Sequence, residues 1–278
     1  MNLQNILSEI ENVDPEVYER LDTRRASLHS FSGIGKKIAL TALPFALGGL
    51  FKKAYGQTSS MPSVVDILNY ALTLEFLESE FYKTAVGTTG LIASSEVASF
   101  TTIRDHEVAH VADLQATINS LGGTPKAKPS FDFTAGGAFS DVFSNYDTFL
   151  AVSQTFEDTG VRAYKGQANN ANLMANNAVL DAALQIHSVE ARHASHVRYV
   201  RRIRNSDTTI KGWITGNMPT IAAVAASYAG EDNTLQGGVN ITTLSGVSGN
   251  ISASVATEAF DEPLNMTQVL AIVKPFIK

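Results

Sequence analysis

The chain has 278 residues, with 21 Lys and Arg against 27 Asp and Glu, a net charge of -6, six His and no Cys. Without thiols there is no disulfide framework, Cys-ligated zinc, iron–sulfur cluster or Cys nucleophile, so any metal chemistry has to use His and carboxylates. The acidic balance, with no clustered basic stripe to override it, argues against a phosphate-backbone binder, and no nucleic-acid partner is expected.

Residues 1–60 differ in character from the rest of the chain. Leu3 to Arg20 sets acidic residues among periodic apolar ones, the pattern of a short amphipathic helix. Arg24-Arg25 comes next, and then Ile38 to Phe51, a run of 14 residues without a charge, bracketed by Lys36-Lys37 and Lys52-Lys53. That run is too short for a comfortable transmembrane helix and is nearer the apolar region of a signal peptide. With the paired arginines upstream and the small-residue end Ala54-Tyr55-Gly56, it resembles a twin-arginine export signal, which implies a periplasmic or otherwise exported protein. The arginines lie far from both the N-terminus and the apolar run, and Lys52-Lys53 falls where a cleavage region is neutral. The competing reading is therefore an apolar helix docked on the main domain of a cytoplasmic protein. Residues 34–53 can also associate with a membrane without a stable span.

From Pro62 to about Arg204 the apolar residues recur with helical period and clear punctuation. The spacing predicts helices over Ser63 to Val86, Ser94 to Leu121, Asn145 to Asn169 and Leu173 to Arg204. They are separated by Gly87 and Gly90, by a long Pro-, Gly- and Phe-rich stretch after Gly122-Gly123, and by Asn169-Asn170-Ala171-Asn172. Four long helices with short outer connections and one long middle crossover predict an all-α four-helix bundle over residues 61–205. Residues 206–278 form an extension. It is loop-rich from Gly237 to Ala256, where a short hairpin is expected, and ends in a closing helix from Met266 to Ile277. Trp213, the single Trp, is expected to pack this tail against the bundle.

The chemistry lies in Glu-x-x-His, which occurs at Glu107/His110 and at Glu190/His193. Residues three apart on a helix share a face, so each pair presents a carboxylate and an imidazole to one point. One such pair means little, since about 0.3 are expected by chance from 14 Glu and six His. The spacing is more telling. Glu75 precedes Glu107 by 32 residues, and Glu157 precedes Glu190 by 33. Each of these upstream glutamates is followed at +7 by Tyr-Lys, at Tyr82-Lys83 and Tyr164-Lys165. The chain thus contains two helical hairpins of the same layout. Glu107 and His110 fall in the apolar seam of Phe100, Ile103 and Leu114; Glu190 and His193 fall in that of Ile186, Val197 and Val200. Such groups in a core stripe cost several kcal/mol unless paired or metal-bound. Four glutamates and two neutral histidines carry a charge that two divalent cations would cancel.

This set, Glu75, Glu107, His110, Glu157, Glu190 and His193, resembles the six metal ligands of the ferritin-like superfamily. The segments Ile67-Leu68-Asn69-Tyr70-Ala71-Leu72-Thr73-Leu74-Glu75-Phe76-Leu77-Glu78 and Ala259-Phe260-Asp261-Glu262-Pro263-Leu264 are similar to bacterial ferritin-like proteins grouped with desiccation-related proteins. The resemblance implies a pair of iron or manganese ions and a reaction with dioxygen or peroxide. Ferroxidase-like iron oxidation and manganese-catalase-like disproportionation are not separated by a ligand set of this kind. The competing function is a non-enzymatic structural or stress protein of the cell envelope with a stabilising or vestigial metal site. Either function is compatible with a homo-oligomer. A serine hydrolase is not supported, since no Gly-x-Ser-x-Gly turn occurs.

Several nearby residues compete for roles. Glu78 rivals Glu75 as a ligand, but the hairpin symmetry prefers Glu75, because Gly160 takes the equivalent place in the second hairpin. Tyr82 and Tyr164 are candidate hydrogen-bond donors or one-electron relays beside the metals; a ring packed between helices is the alternative for each. His187 or His196 is expected to help orient a ligand, with Asp113 and Asp158 as weaker candidates. His106 is expected to point away from His110 toward the surface or a partner, and His29 has no context that favours function.

Overall fold

The computed structural model describes residues 62–217, 222–246 and 249–278. The expectations for residues 1–60, including the amphipathic helix and the export signal, lie outside them. Helix α1 (Val64–Gly87) starts at a capping box. The Ser63 hydroxyl accepts from the Asp66 N–H at 3.1 Å, and the Asp66 carboxylate accepts from the Ser63 N–H at 3.0 Å. These bonds satisfy amide donors that an α-helix cannot pair internally. Helix α2 (Val97–Ser120) returns alongside α1 and closes the first hairpin. Helix α3 (Tyr146–Gln167) is capped by Asn145, and α5 (Asn177–Asn205) by Asn176, completing the second hairpin.

The fourth predicted helix is in fact broken. A single turn, α4 (Ala171–Met174), stands apart from α5, because Asn170 and Asn176 each accept from a following backbone N–H and start a helix of their own. Asn side chains compete for backbone donors in this way and favour caps over helix interiors.

Four helices with a long middle crossover make the all-α, ferritin-like bundle that the connection lengths suggest. The crossover between α2 and α3 is folded against the C-terminus. Phe131 and Ile277 form an antiparallel bridge, the Asp132 N–H donates to Phe276 O at 2.8 Å, and the Lys278 N–H donates to Ser130 O at 2.9 Å. Phe133 and Phe143 pack on Phe81 of α1 with ring centroids 5.4 and 5.5 Å away.

The extension holds two small antiparallel hairpins, β1 (Leu235–Gln236) with β2 (Val239–Asn240) and β3 (Ser245–Gly246) with β4 (Gly249–Asn250). The turn between β1 and β2 is Gly237-Gly238, with φ of 58° and 83°, a left-handed pair that only glycine adopts without strain. Two short helices complete it, α6 (Ala253–Glu258) and α7 (Met266–Val273). The closing helix is therefore shorter than expected and ends in a 3₁₀ turn at Lys274–Phe276.

Arg162 of α3, fully buried, fastens this extension to the bundle. Its guanidinium donates to the carbonyls of Ser227, Ala229 and Glu262 and lies 2.7 Å from Glu231. Covered on both sides, α3 is buried from Phe149 through Tyr164. Trp213 does not anchor the tail; its side chain is half exposed. Among the described residues no helix is long and apolar enough to cross a membrane.

Candidate metal centre

All six predicted ligands are buried and converge halfway along the bundle. Glu75, Glu107, Glu157 and Glu190 have no exposed surface, and His110 and His193 are nearly enclosed. Two groups form around two points. One is Glu75, Glu107, His110 and Glu190; the other is Glu107, Glu157, Glu190 and His193. Within each group the donor atoms lie within 4.8 Å of one another. Glu107 and Glu190 belong to both, whereas Glu75 and Glu157 each belong to one. The glutamates of the Glu-x-x-His pairs thus face both points, and those of α1 and α3 one point each.

The two-fold repeat in the sequence becomes a two-fold repeat in space. The Tyr82 hydroxyl on α1 donates to Glu157 on α3, and the Tyr164 hydroxyl on α3 donates to Glu75 on α1. Each tyrosine therefore serves the glutamate of the other hairpin, which requires α1 and α3 to run antiparallel. Ser153 adds a contact at 2.6 Å to the Tyr82 hydroxyl. Burial, reinforced by Glu157 and Glu75 respectively, pushes both phenols well above their usual range, so each keeps its proton and remains a donor.

The geometry favours a cation over internal hydrogen bonding. His193 Nδ1 is 2.8 Å from Glu107 Oε1 and 3.3 Å from Glu157 Oε2, yet its orientation makes a hydrogen bond to neither. Glu107 Oε1, Glu157 Oε2 and both carboxylate oxygens of Glu190 are likewise buried without a hydrogen-bond partner. Proximity without hydrogen-bond geometry is what donor atoms show when they face a common point. The large majority of buried side-chain polar atoms find partners, and these atoms without one gather in a single cluster.

The electrostatics agree. Burial opposes a charged ring at His193, but Glu157 and Glu107 overcome it and hold the imidazole up at about 11. His110 is raised further by Glu107, Glu190 and Glu75 at 3.1–3.3 Å, again against the cost of burial. Burial lifts Glu107 to about 7 and Glu190 well above the carboxylate range. Protons here supply the positive charge that the carboxylates lack. Hard oxygen and imidazole donors of this kind suit divalent metal ions.

The residues around the six fall into place unevenly. Glu78 is buried and belongs to neither group. A Cβ at Gly160 would stand 3.3 Å from Glu78 Oε1 and 3.1 Å from Glu190 Oε2, so the bare glycine makes room for both carboxylates. His106 overturns its expectation. Its ring stacks on His193 with centroids 5.2 Å apart, and its Nδ1 meets His193 Nε2 at 2.9 Å. Helical phase turns His106 away from His110 on its own helix, but α5 crosses at that point and brings His193 to it. Only the packing of α2 against α5 could have revealed this contact.

The other proposed orienting residues do not reach a ligand histidine. Asp113 is exposed. Asp158 pairs instead with Arg198 at 2.5 Å and accepts from the Tyr228 hydroxyl at 2.6 Å. His196 stacks edge-on against Phe100 and lies 3.2 Å from Glu96, and His187 does not join the cluster.

The family profile described as ferritin-like domain matches residues 63–202, half of the chain. The chain belongs to the ferritin-like domain family. The matched span runs from the N-cap of α1 to the last turn of α5 and contains all six residues of the cluster. No curated protein matches the chain. In this ferritin-like bundle the buried Glu and His groups can hold metal ions, and both hairpins contribute to each group.

Proposed function

We propose that this ferritin-like protein holds two divalent ions, iron or manganese, and reacts with dioxygen or peroxide. The observation that carries the reading is the pair of four-residue groups that share Glu107 and Glu190, in which His193 Nδ1, Glu107 Oε1, Glu157 Oε2 and both Glu190 oxygens face one another without a hydrogen-bond partner. In this assignment Glu75 and His110 hold one ion, Glu157 and His193 the other, and Glu107 and Glu190 both. Bound iron or manganese would supply redox chemistry at the centre.

The chain's own residues do the rest. Tyr82 and Tyr164 hold Glu157 and Glu75 in place by donating to one oxygen of each, leaving the other oxygen for the centre. His106 fixes the ring of His193 through Nε2, so that Nδ1 faces the carboxylates. The rings of Phe81, Phe100 and Phe149 pack around Tyr82 and keep water from that end of the cluster. The similarity to desiccation-related proteins supports a stress role, and the Arg24-Arg25 pattern with its apolar run supports export.

The test is turnover by protein loaded with ferrous iron or with manganese, challenged with dioxygen and with hydrogen peroxide. Consumption of either oxidant that is lost in Glu107→Ala and Glu190→Ala is expected. Metal that stabilises the fold without consuming either oxidant would replace this reading with a structural one.

A further inference from the structure

A cavity of about 50 Å3 lies inside the bundle, one turn below the metal centre; one water needs roughly 10–15 Å3, and about 150 Å3 takes benzene. Every long helix contributes to it on the same side of its site residue. Ala71 lies one turn before Glu75, Leu114 one turn after His110, Ile186 one turn before Glu190, and Tyr164 about two turns after Glu157. Tyr164 belongs to both spaces, because its ring lines the cavity while its hydroxyl donates to Glu75. At the other side the cavity reaches Asp113 of α2 and Ala182 of α5, both exposed, so it opens between these helices.

We infer that this cavity takes up dioxygen and passes it to the centre past Tyr164, a route that peroxide does not use; this rests on the dimetal reading. The wall surface is mostly apolar, with Tyr70, Asp113, Thr117, Tyr164 and Gln167 among its lining, and the space fits a molecule of a few heavy atoms. Apolar walls favour apolar gases, whereas peroxide would give up its hydrogen bonds with water on entering. One feature favours water instead. The Tyr70 hydroxyl, on a side chain that lines the cavity, is buried without a hydrogen-bond partner and could hold a single water there.

The experiment is a crystal structure of the full chain under xenon, with dioxygen and peroxide uptake measured on the iron-loaded protein. Xenon is expected between Ala71, Leu114 and Ile186. Ala183→Phe, which fills the cavity from α5, is expected to keep its iron content and to slow dioxygen uptake about tenfold, a decade of barrier, with peroxide consumption unchanged. A water on Tyr70 in place of xenon, or equal slowing of both oxidants, overturns the cavity's role while the dimetal reading stands. Xenon in the cavity of a wild-type protein that consumes peroxide but takes up no dioxygen overturns the delivery role alone, and one that consumes neither oxidant overturns the reading of the centre with it.

Discussion

A ligand histidine is only as well placed as the group that holds its second nitrogen. In most metal sites that group is a carboxylate, a carbonyl or water; here it is His106, itself largely outside the bundle. Burial and the neighbouring His193 hold the His106 imidazole below its ordinary value, so it stays neutral and its Nδ1 can accept from His193. Replacing His106 by Ala is expected to lower metal affinity by about 10–100-fold, with His106→Gln recovering part of it. Metal titration followed by calorimetry checks this, and equal affinity in all three proteins would contradict it. The tyrosines make a paired prediction. Tyr82→Phe leaves Glu157 without its donor and Tyr164→Phe leaves Glu75 without its own, each costing about 1–3 kcal/mol in denaturant unfolding. The six cluster residues were legible in the sequence because their spacing repeats between hairpins. His106 was not, because the partner it meets sits 87 residues away on another helix.

At the scale of helices, helix spans and connection lengths were legible, and contacts made by the tail were not. The bundle could be read because Gly and Asn punctuate a 3.6-residue period. The break before α5 escaped, since Asn176 looks the same in sequence whether it lies within a helix or caps one. The tail's anchor escaped too: the sequence offered Trp213, while the structure uses Arg162 on α3, whose carbonyl partners leave no mark in residue identity. Close approach matters as much as the hydrogen bonds. A Cβ on Gly166 would fall 1.9 Å from Leu264 O, inside the backbone of the extension. Gly166→Ala is therefore expected to lift residues around Leu264 off α3 and cost about 3 kcal/mol, near the upper end of overpacking. Hydrogen exchange should show faster opening of residues 253–278 with the bundle still protected. Uniform destabilisation would contradict a local docking role.

For the molecule as a whole, the buried cluster ties stability to metal and pH together. A His with a raised value stabilises the fold fully below its unfolded value near 6.5, and that contribution is lost as pH rises toward about 11 for His193. The raised carboxyls act in the same direction. Glu107 contributes below about 4.5 and loses its contribution as pH rises through about 7, and Glu190 loses its own at higher pH. Metal-free protein should therefore weaken from pH 6.5 to 9, while metal competes with fewer protons and binds more tightly. The drop in Tm on chelation is expected to grow across that range; a drop independent of pH would contradict the electrostatic account. The proposed reactivity and the pH dependence both require metal at two points that share Glu107 and Glu190. The most direct test is elemental analysis of the purified native protein beside Glu75→Ala, Glu107→Ala and Glu190→Ala. Two ions of iron or manganese per chain are expected, with one lost in Glu75→Ala and both in either shared-glutamate variant. The same metal content in all four proteins, or none in the native one, would contradict it.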